Sequence, residues 1–414
     1  MIQFERFTLT NGLRVLVHED ASTPMAAVNL LYDVGARDEN PEKTGFAHLF
    51  EHLMFGGSQN IPNYDEPLQE AGGESNAFTN NDITNFYQTL PAQNLELAFW
   101  LESDRMNKLA FSKKSLDVQR KVVVEEFSET TLETPYGDVW HELMGMCYEV
   151  HPYNWPTIGK VPQHVKDATL DDVKAFFYKH YRPNNAILTV AGGVTKSQVQ
   201  TLAEKWFGEI EAGEIRPRNL PQEPQQTARR FKEKIADVPA NALYMAFPMA
   251  SRNTRSYYLC DLITEILSNG PSSRLFRRLV KEQRSFAELD AYVTGSDDAG
   301  LIVIEGKPSE GVSLEQAEAA VWSELDRLLT NGIPSEELQK IKNKAESTLV
   351  FQEMGILNKA MNLAYFELLG DANRINEETE IYQSITVEEI MTEAKQRFQK
   401  NFVSVLYYKS KIEE

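Results

Sequence analysis

The sequence predicts an α+β protein of two similar domains, each an antiparallel-rich sheet covered by helices. Its 414 residues exceed the size at which one hydrophobic core usually stops growing. The order of strands and helices in the first half recurs in the second half at a spacing of about 200 residues, as after an internal duplication. A segment rich in Pro, Glu and Gln lies between the halves and has no sustained periodicity. We therefore predict domains at 1–212 and 231–414, joined by a linker at 213–230.

The first half begins with a predicted hairpin. "RFTLT" and "LRVLVHE" flank Asn11-Gly12, a pair that suits the positive φ angles of a type I′ turn. A buried strand, "AAVNLLYDVG", comes next, and a helix is predicted from near Pro41 to Gly56. A short helix, a strand pair over "SNAFTNNDITNFYQTL", helices from about 91 to 148, the strand "PNNAILTVAGGV" and a last helix complete the domain.

The second half repeats this order. It has the strand "NALYMAFPMA", a helix at 254–268, strands near "FAELDAYVTG" and "GLIVIEG", long helices, and the last strand "NFVSVLYYKS". All seven histidines precede residue 181, so any histidine-based metal site belongs to the first half.

Composition and charge limit the class of partner. With 42% hydrophobic and 25% charged residues, the chain has an ordinary globular composition, and its formal net charge of −19 disfavours nucleic acid. The segment "MIQFERFTLT" lacks the pattern of a secretory signal and no apolar run approaches membrane-spanning length, so we expect a cytoplasmic protein without a membrane partner. Cys147 and Cys260 have no metal-ligand spacing, and buried free thiols are favoured over a disulfide.

The segment "HLFEH", residues 48–52, predicts a metal site on a helix. At 100° per residue, His48, Glu51 and His52 share one face, whereas the opposite face is apolar. Histidines at i and i+4 lie one turn apart and can bind one cation at about 2.0–2.1 Å. Glu51, next to the second histidine, is then placed to polarise a bound water. A structural pair of histidines is the less favoured alternative.

A catalytic zinc usually has three protein ligands, so a third ligand is expected downstream. The helix "SLDVQRKVVVEEFSET" offers both Glu125 and Glu126. Glu126 shares a face with valines, where a carboxylate without a cation would be costly to bury, whereas Glu125 suits a solvated position. Spacing alone does not choose between them.

At this point the sequence resembles the pitrilysin/insulinase-type zinc peptidases, or inverzincins, the group that includes mitochondrial processing peptidase and its short bacterial relatives. The resemblance rests on "GFAHLFEHLMFGGS", "GGESNAFTNNDITNFY", "VQRKVVVEEF", "HPYNWPTIG" and "NGPSSRLFRRLVKEQ", which together span nearly the whole chain. It implies a pair of similar α+β domains that close like a clamshell around short or unfolded peptides.

The resemblance also implies roles for individual residues. His48, His52 and Glu126 match the zinc ligands, with one Zn²⁺ per chain, and Glu51 matches the general base. The edge strand that receives a peptide substrate matches three consecutive residues, Asn76, Ala77 and Phe78. Gln119 stands where the family has a glutamate that supports the metal ligands.

The implied function is a zinc-dependent endopeptidase that hydrolyses internal bonds of short or unfolded polypeptides held between two domains. The family's Arg and Tyr of the second half, which contact the substrate, are replaced by Lys281 and Glu288. Lys281 could still bind the substrate by donating to a carbonyl, but an ionised glutamate cannot donate as a phenol does. Tyr292 could supply the missing donor, or a partner subunit could. We therefore expect a homodimer or a heterodimer with a zinc-free paralogue, and the alternative function is a non-catalytic or partner-dependent subunit of such a complex.

Overall fold

The computed structural model describes residues 1–214 and 217–411. Ile215 and Arg216 of the predicted linker, and residues 412–414 of the predicted second domain, lie outside the described residues. The chain forms two compact units, each made of three chain segments. The first unit comprises Met1–Thr130, Trp155–Pro221 and Val350–Glu377, and the second comprises Thr131–Asn154, Gln222–Leu349 and Glu378–Glu414.

The described part of the first unit contains a six-stranded mixed sheet. Its strands are β1 (Glu5–Thr8), β2 (Arg14–Glu19), β3 (Met25–Tyr32), β4 (Glu74–Thr79), β5 (Thr84–Pro91) and β6 (Ala186–Gly192). They lie in the order β1-β2-β6-β3-β5-β4, which makes β4 an edge strand. Only the β2–β6 pair is parallel, so the sheet is antiparallel-rich as predicted.

The described part of the second unit contains a five-stranded sheet. Its strands are β7 (Arg230–Ala236), β8 (Ala242–Pro248), β9 (Phe286–Val293), β10 (Leu301–Pro308) and β11 (Ser404–Ser410). The order β7-β11-β8-β10-β9, again with one parallel pair, repeats the order β2-β6-β3-β5-β4 of the first sheet. The predicted class, two similar α+β domains, is confirmed.

Along the chain, most of the α-helices lie in the connections between strands. In chain order they are α1 (Phe46–Phe55), α2 (Asp65–Glu70), α3 (Leu95–Lys108), α4 (Lys113–Phe127), α5 (Val139–Cys147), α6 (Pro162–Lys166), α7 (Leu170–His180), α8 (Lys196–Phe207), α9 (Arg255–Ser268), α10 (Leu314–Asn331), α11 (Ser335–Gln352), α12 (Ile356–Leu368), α13 (Glu378–Ser384) and α14 (Val387–Arg397). Among the described residues, no helix is both long enough and apolar enough to cross a membrane.

Helices pack on both faces of each sheet. On one face of each sheet, the helix comes from the opposite half of the sequence. Because side chains alternate along a strand, Val15 and Val17 of β2 face the larger core with α1 and α3, whereas Leu16 faces the opposite side. There it packs in a cluster with Leu363 and Phe366 of α12. In the second unit, α9, α10 and α14 cover one face, and α5 covers the other.

This exchange of helices explains how the compact units differ from the predicted domains. The predictions 1–212 and 231–414 treat each half as continuous, whereas segment 131–154 belongs to the second unit and segment 350–377 belongs to the first. The division between the units at Pro221 and Gln222 falls inside the predicted linker 213–230. A strand with apolar residues on both faces needs cover on both, and periodicity does not show which helix supplies it.

Three local predictions differ from the structure. Helix α1 begins at Phe46 rather than near Pro41, because Gly45 adopts a left-handed φ of 86° at the N-cap. The first hairpin forms, but only Gly12 of its turn has a positive φ, so the turn is not type I′. Strand β7 was not predicted because its sequence, "RFKEKIA", is mostly exposed and rich in lysine and arginine.

Candidate metal centre

Helix α1 separates a packing face from a polar face, as its periodicity predicts. Phe46, Leu49, Phe50, Leu53 and Met54 are all buried. The ring of Phe50 stacks on the rings of α7 and the residue that follows it, at centroid distances of 5.0–6.2 Å. These contacts fix the rotation of α1, so the polar face of the helix points away from the core.

The polar face of α1 brings two imidazoles together with a carboxylate from α4. His48 and His52 have Nε2 atoms 3.3 Å apart. The Oε2 atom of Glu126 lies 3.3 Å from Nε2 of His52, and its Oε1 atom lies 3.6 Å from Nε2 of His48. Among the described residues, these three form the group of His, Cys, Asp and Glu side chains whose geometry suits a metal ion.

The separations match those of zinc ligands. Three ligands of a tetrahedral zinc at about 2.0–2.1 Å lie about 3.3–3.4 Å from one another. The two imidazole Nε2 atoms, 3.3 Å apart, have this spacing, and each lies 3.3–3.6 Å from a different oxygen of the Glu126 carboxylate. The donor set of two imidazoles and one carboxylate is one that catalytic zinc uses. The residues therefore fit a zinc ion with one open position.

The two candidate glutamates of α4 lie in different surroundings. Glu126 points to the histidines, whereas the adjacent Glu125 is exposed. The face shared by Glu126 is less apolar than the run of valines predicts: Val123 is buried, but Val122 is 43% exposed. Glu126 is thus held at the surface of α1 by helix packing rather than buried in a valine-lined pocket.

The charges at the centre influence one another. Burial lowers the pKa of His48, and this favours the neutral imidazole that binds metal. A hydrogen bond with His52 lowers the pKa of Glu126 and favours the carboxylate. Burial raises the pKa of Glu51, although the hydrogen bond from Thr79 acts in the opposite direction. The Nδ1 atom of His48 is buried without a hydrogen-bond partner among the described residues.

Thr79 is a residue of the centre that the sequence reasoning missed. It is the last residue of β4, and its hydroxyl donates a hydrogen bond of 2.6 Å to Oε2 of Glu51. This bond fixes one oxygen of Glu51 and leaves the other oxygen available. The signal was present in "SNAFT", where Thr79 and Ala77 share the face of β4 that alternation assigns to α1.

The resemblance implies that Glu51 is the general base of a peptidase. On that basis we predict that Thr79→Val lowers kcat/KM for peptide hydrolysis by about 10- to 100-fold, because a hydrogen bond to a charged group is worth about 1.5–3 kcal/mol. Valine keeps the branched shape of threonine and removes the donor. Thr79→Ser keeps the donor and is the matched control, with activity near that of the wild type. Equal kinetics for the valine and serine variants would show that this hydroxyl does not orient Glu51.

A buried carboxylate also holds the first turn of α1. The two oxygens of Glu39 accept N–H groups from Gly45 at 2.9 Å and Ala47 at 2.8 Å. The indole N–H of Trp155 donates to the same carboxylate at 3.0 Å. Burial raises the pKa of Glu39 to about 8, while these N–H groups favour its ionised form. Glu39 therefore ties the start of the helix to the "HPYNWPTIG" segment, a link that sequence reasoning did not find.

The predicted peptide-receiving residues lie on the open edge of the first sheet. Asn76, Ala77 and Phe78 belong to β4, which pairs with β5 on one side only. The side chain of Phe78 is partly exposed, and the Oδ1 atom of Asn76 accepts the N–H of Ala77 at 2.8 Å. The edge is thus available for another strand, although the backbone N–H of Ala77 already donates to the side chain of Asn76.

The remaining predicted site residues lie elsewhere. Gln119 is on α4, and its amide nitrogen lies beside Gly56 at the end of α1. In the second unit, Lys281 is exposed on a π-helical segment, with its amine 5.2 Å from the ring centroid of Phe276. Glu288 of β9 forms an ion pair of 2.6 Å with Lys307.

Tyr292, the proposed substitute donor, is already engaged within its own unit. Its hydroxyl donates a hydrogen bond of 2.9 Å to Oε2 of Glu305. Burial raises the pKa of Tyr292 well above the ordinary phenol value, and Glu305 acts in the same direction. The hydroxyl therefore stays protonated, and it would have to leave Glu305 to donate to a substrate.

Family models match most of the chain. A model described as "Insulinase (Peptidase family M16)" matches residues 14–159, and one described as "Peptidase M16 inactive domain" matches residues 167–345. The duplicated fold and these two matches define a two-domain chain of the peptidase type. The chain belongs to the insulinase family of peptidases, family M16.

Individual relatives agree with this assignment. The chain is 28% identical over 344 residues to "Zinc protease PqqE" of Helicobacter pylori, covering 82% of this chain and 77% of the relative. It is 24% identical over 407 residues to "Uncharacterized zinc protease YmxG" of Bacillus subtilis, covering 97% of each. A third match is the mitochondrial-processing peptidase subunit beta of Saccharomyces cerevisiae, at 26% identity, covering 63% of this chain and 57% of that one.

A solved structure agrees in fold. The crystal structure of a protease from Helicobacter pylori superimposes with a TM-score of 0.92 at 25% sequence identity, and the match covers 99% of this chain and 100% of the other. The resemblance predicted from the sequence is therefore confirmed at the level of the family.

Proposed function

We propose that this protein is a zinc-dependent endopeptidase that hydrolyses internal bonds of short or unfolded polypeptides. The observation that carries the proposal is the convergence of His48, His52 and Glu126, whose ligand atoms all lie within 4.8 Å of one another and suit one zinc ion per chain. The names of the relatives as zinc proteases support the choice of metal.

The residues of the centre divide the chemistry among them. Zinc, when bound, supplies Lewis acidity that polarises a peptide carbonyl and lowers the pKa of water. Glu51 lies on the ligand face of α1 without belonging to the ligand triad, and it accepts the proton of the attacking water and later gives it to the leaving amine. Thr79 holds this carboxylate in place through its 2.6 Å hydrogen bond. The open edge of β4 binds the extended substrate through backbone hydrogen bonds.

A second candidate function, that of a partner-dependent subunit, is favoured by the state of the residues that could donate to the developing oxyanion. Lys281 is exposed. Glu288 forms an ion pair with Lys307, and the hydroxyl of Tyr292 donates a hydrogen bond to Glu305. A homodimer, or a heterodimer with a zinc-free paralogue that supplies the donor, would make the chain a partner-dependent subunit. A cytoplasmic location remains part of this proposal.

Metal analysis and peptide digestion of the chain alone test the function. We expect about one zinc per chain, as for a single site with three protein ligands. We also expect cleavage at internal bonds of an unstructured peptide library, detected by mass spectrometry. His52→Ala should lose both, because two ligands hold zinc poorly. His141→Ala changes a histidine of α5 outside the triad and should keep both.

The outcomes separate the two candidates. If His52→Ala kept the zinc content of the wild type, the triad would not be the metal site. If the wild type held zinc but cleaved peptides only after a zinc-free relative was added, the chain would be the partner-dependent subunit.

A further inference from the structure

A groove of about 440 Å³ in the second unit is lined by an excess of basic side chains. They come from three separate elements: the segment around the π-helical turn Phe276–Glu282, helix α10 and helix α11. The basic residues are Arg274, Arg277, Arg278, Arg327 and Lys340, and the carboxylates that line the groove are Glu324 and Glu337. This concentration of positive charge occurs in a chain whose net charge is −19.

One arginine of the groove has a structural role. Arg274 forms a two-pronged ion pair with Glu337, with contacts of 3.0 and 2.6 Å. It also donates to the carbonyl of Gly332, just after the C-terminus of α10, at 2.9 Å. Its charge is thus neutralised, and its geometry is that of a cation at a helix C-terminus.

Two further arginines share one buried carboxylate. The side chain of Glu324 is only 5% exposed, and its Oε2 atom lies 2.9 Å from Nε of Arg278 and 3.4 Å from Nε of Arg327. One carboxylate between two guanidinium groups leaves one positive charge. Glu282, at 3.7 Å from Arg278, is half exposed and outside the groove lining, so it compensates this charge weakly.

The last two cations are held without a close carboxylate. Arg277 is 59% exposed, and its ion pair is with the same Glu282 at 3.7 Å. The amine of Lys340 donates at 2.7 Å to the neutral hydroxyl of Ser272. The C-terminus of α10 accounts for Arg274, and the ion pair with Glu324 accounts for Arg327. Neither accounts for Arg277 on the π-helical segment or for Lys340 on α11.

This arrangement suits an oxyanion. Like charges that converge from three elements repel one another, and an anion between them relieves the repulsion. Guanidinium groups present paired N–H donors that match phosphate oxygens, and Lys340 and Ser272 add further polar contacts. The volume of the groove lies in the range of small-ligand sites and exceeds the need of one monovalent ion.

We propose that this groove binds a small multivalent phosphate compound, with Arg277 and Lys340 as its principal contacts. The proposal is independent of the proposed peptidase function, since none of these residues belongs to the zinc triad. The phosphate groups can come from an inorganic polyphosphate or from a nucleotide, and the chemistry of recognition is the same for both.

Isothermal titration calorimetry of the full chain with pyrophosphate tests the site. We expect saturable binding of one equivalent that weakens as sodium chloride is added. The double variant Arg277→Gln/Lys340→Gln should bind at least about tenfold more weakly, because it loses two charge-assisted contacts. Both residues are exposed or partly exposed, so circular dichroism should show an unchanged fold.

The control is a double variant of the first unit, Arg182→Gln/Lys205→Gln, which removes the same charges elsewhere and should bind as the wild type does. Parallel titrations with ATP and with adenosine identify the source: tighter binding of ATP than pyrophosphate, with none of adenosine, indicates a nucleotide. The zinc content of each protein is measured before and after titration with pyrophosphate. If pyrophosphate removed zinc from the protein, the heat of that reaction would be the same in both double variants. Absence of saturable binding, or equal weakening in both double variants, would overturn the proposal.

Discussion

Glu51→Gln is expected to retain zinc and lose peptidase activity by about 10²- to 10⁴-fold, the usual contribution of a general base. Glutamine has the same shape as glutamate, and its amide oxygen can still accept the hydrogen bond of Thr79. It cannot take a proton from water. The triad of His48, His52 and Glu126 is untouched, so metal content and peptide binding should remain near those of the wild type.

The measurement combines zinc analysis with kcat and KM on one internally quenched peptide. Glu125→Gln is the matched control, because this neighbour of Glu126 is exposed and does not face the triad. A fall in kcat with unchanged zinc and KM supports the assignment of Glu51. Digestion by Glu51→Gln at the wild-type rate would remove Glu51 from the mechanism.

Arg105→Met is expected to lower the free energy of unfolding of the first unit by about 3–5 kcal/mol, the cost of removing one partner of a buried ion pair. Arg105 of α3 is fully buried and binds Glu102 through Nε at 2.8 Å and through its terminal nitrogen at 2.5 Å. Its guanidinium lies 4.1 Å from the ring centroid of Phe86 and 4.5 Å from that of Tyr64.

The loss arises mainly from Glu102. With Arg105 replaced, this carboxylate would remain buried, and the donors from Tyr64 and Gln88, each at 2.8 Å, would not balance its charge. Urea unfolding followed by far-UV circular dichroism measures the change. Lys205→Met, which breaks an exposed ion pair with Glu96, should change the stability by less than about 1 kcal/mol. A similar small change for Arg105→Met would mean that the buried pair contributes little.

The sequence predicts those parts of the centre that lie on one element. The two histidines and Glu51 fall on one face of α1 because helical spacing is fixed, and the structure keeps the opposite face buried. The recurrence of strands and helices in the second half also follows from local pattern, whereas the edge position of β4 required the family resemblance. Glu126 required the family resemblance, because the choice between adjacent glutamates depends on how α4 packs against α1.

Contacts between distant segments could not be predicted. Thr79 reaches Glu51 across 28 positions, and Trp155 reaches Glu39 across 116 positions. Each depends on the rotation of two elements about their axes, which one sequence does not specify. The pairing of Glu288 with Lys307 is of the same kind, since it depends on the register of β9 against β10.

The exchange of α5 and α12 has a consequence for biosynthesis. Residues 1–212 carry every strand of the first sheet, but one face of that sheet keeps Leu16 and Leu31 uncovered until Leu363 and Phe366 have left the ribosome. The N-terminal half therefore cannot complete its core during translation of its own residues. A gene divided at the linker would give two fragments that each lack one covering helix, so the duplicated halves are no longer separable as independent folding units.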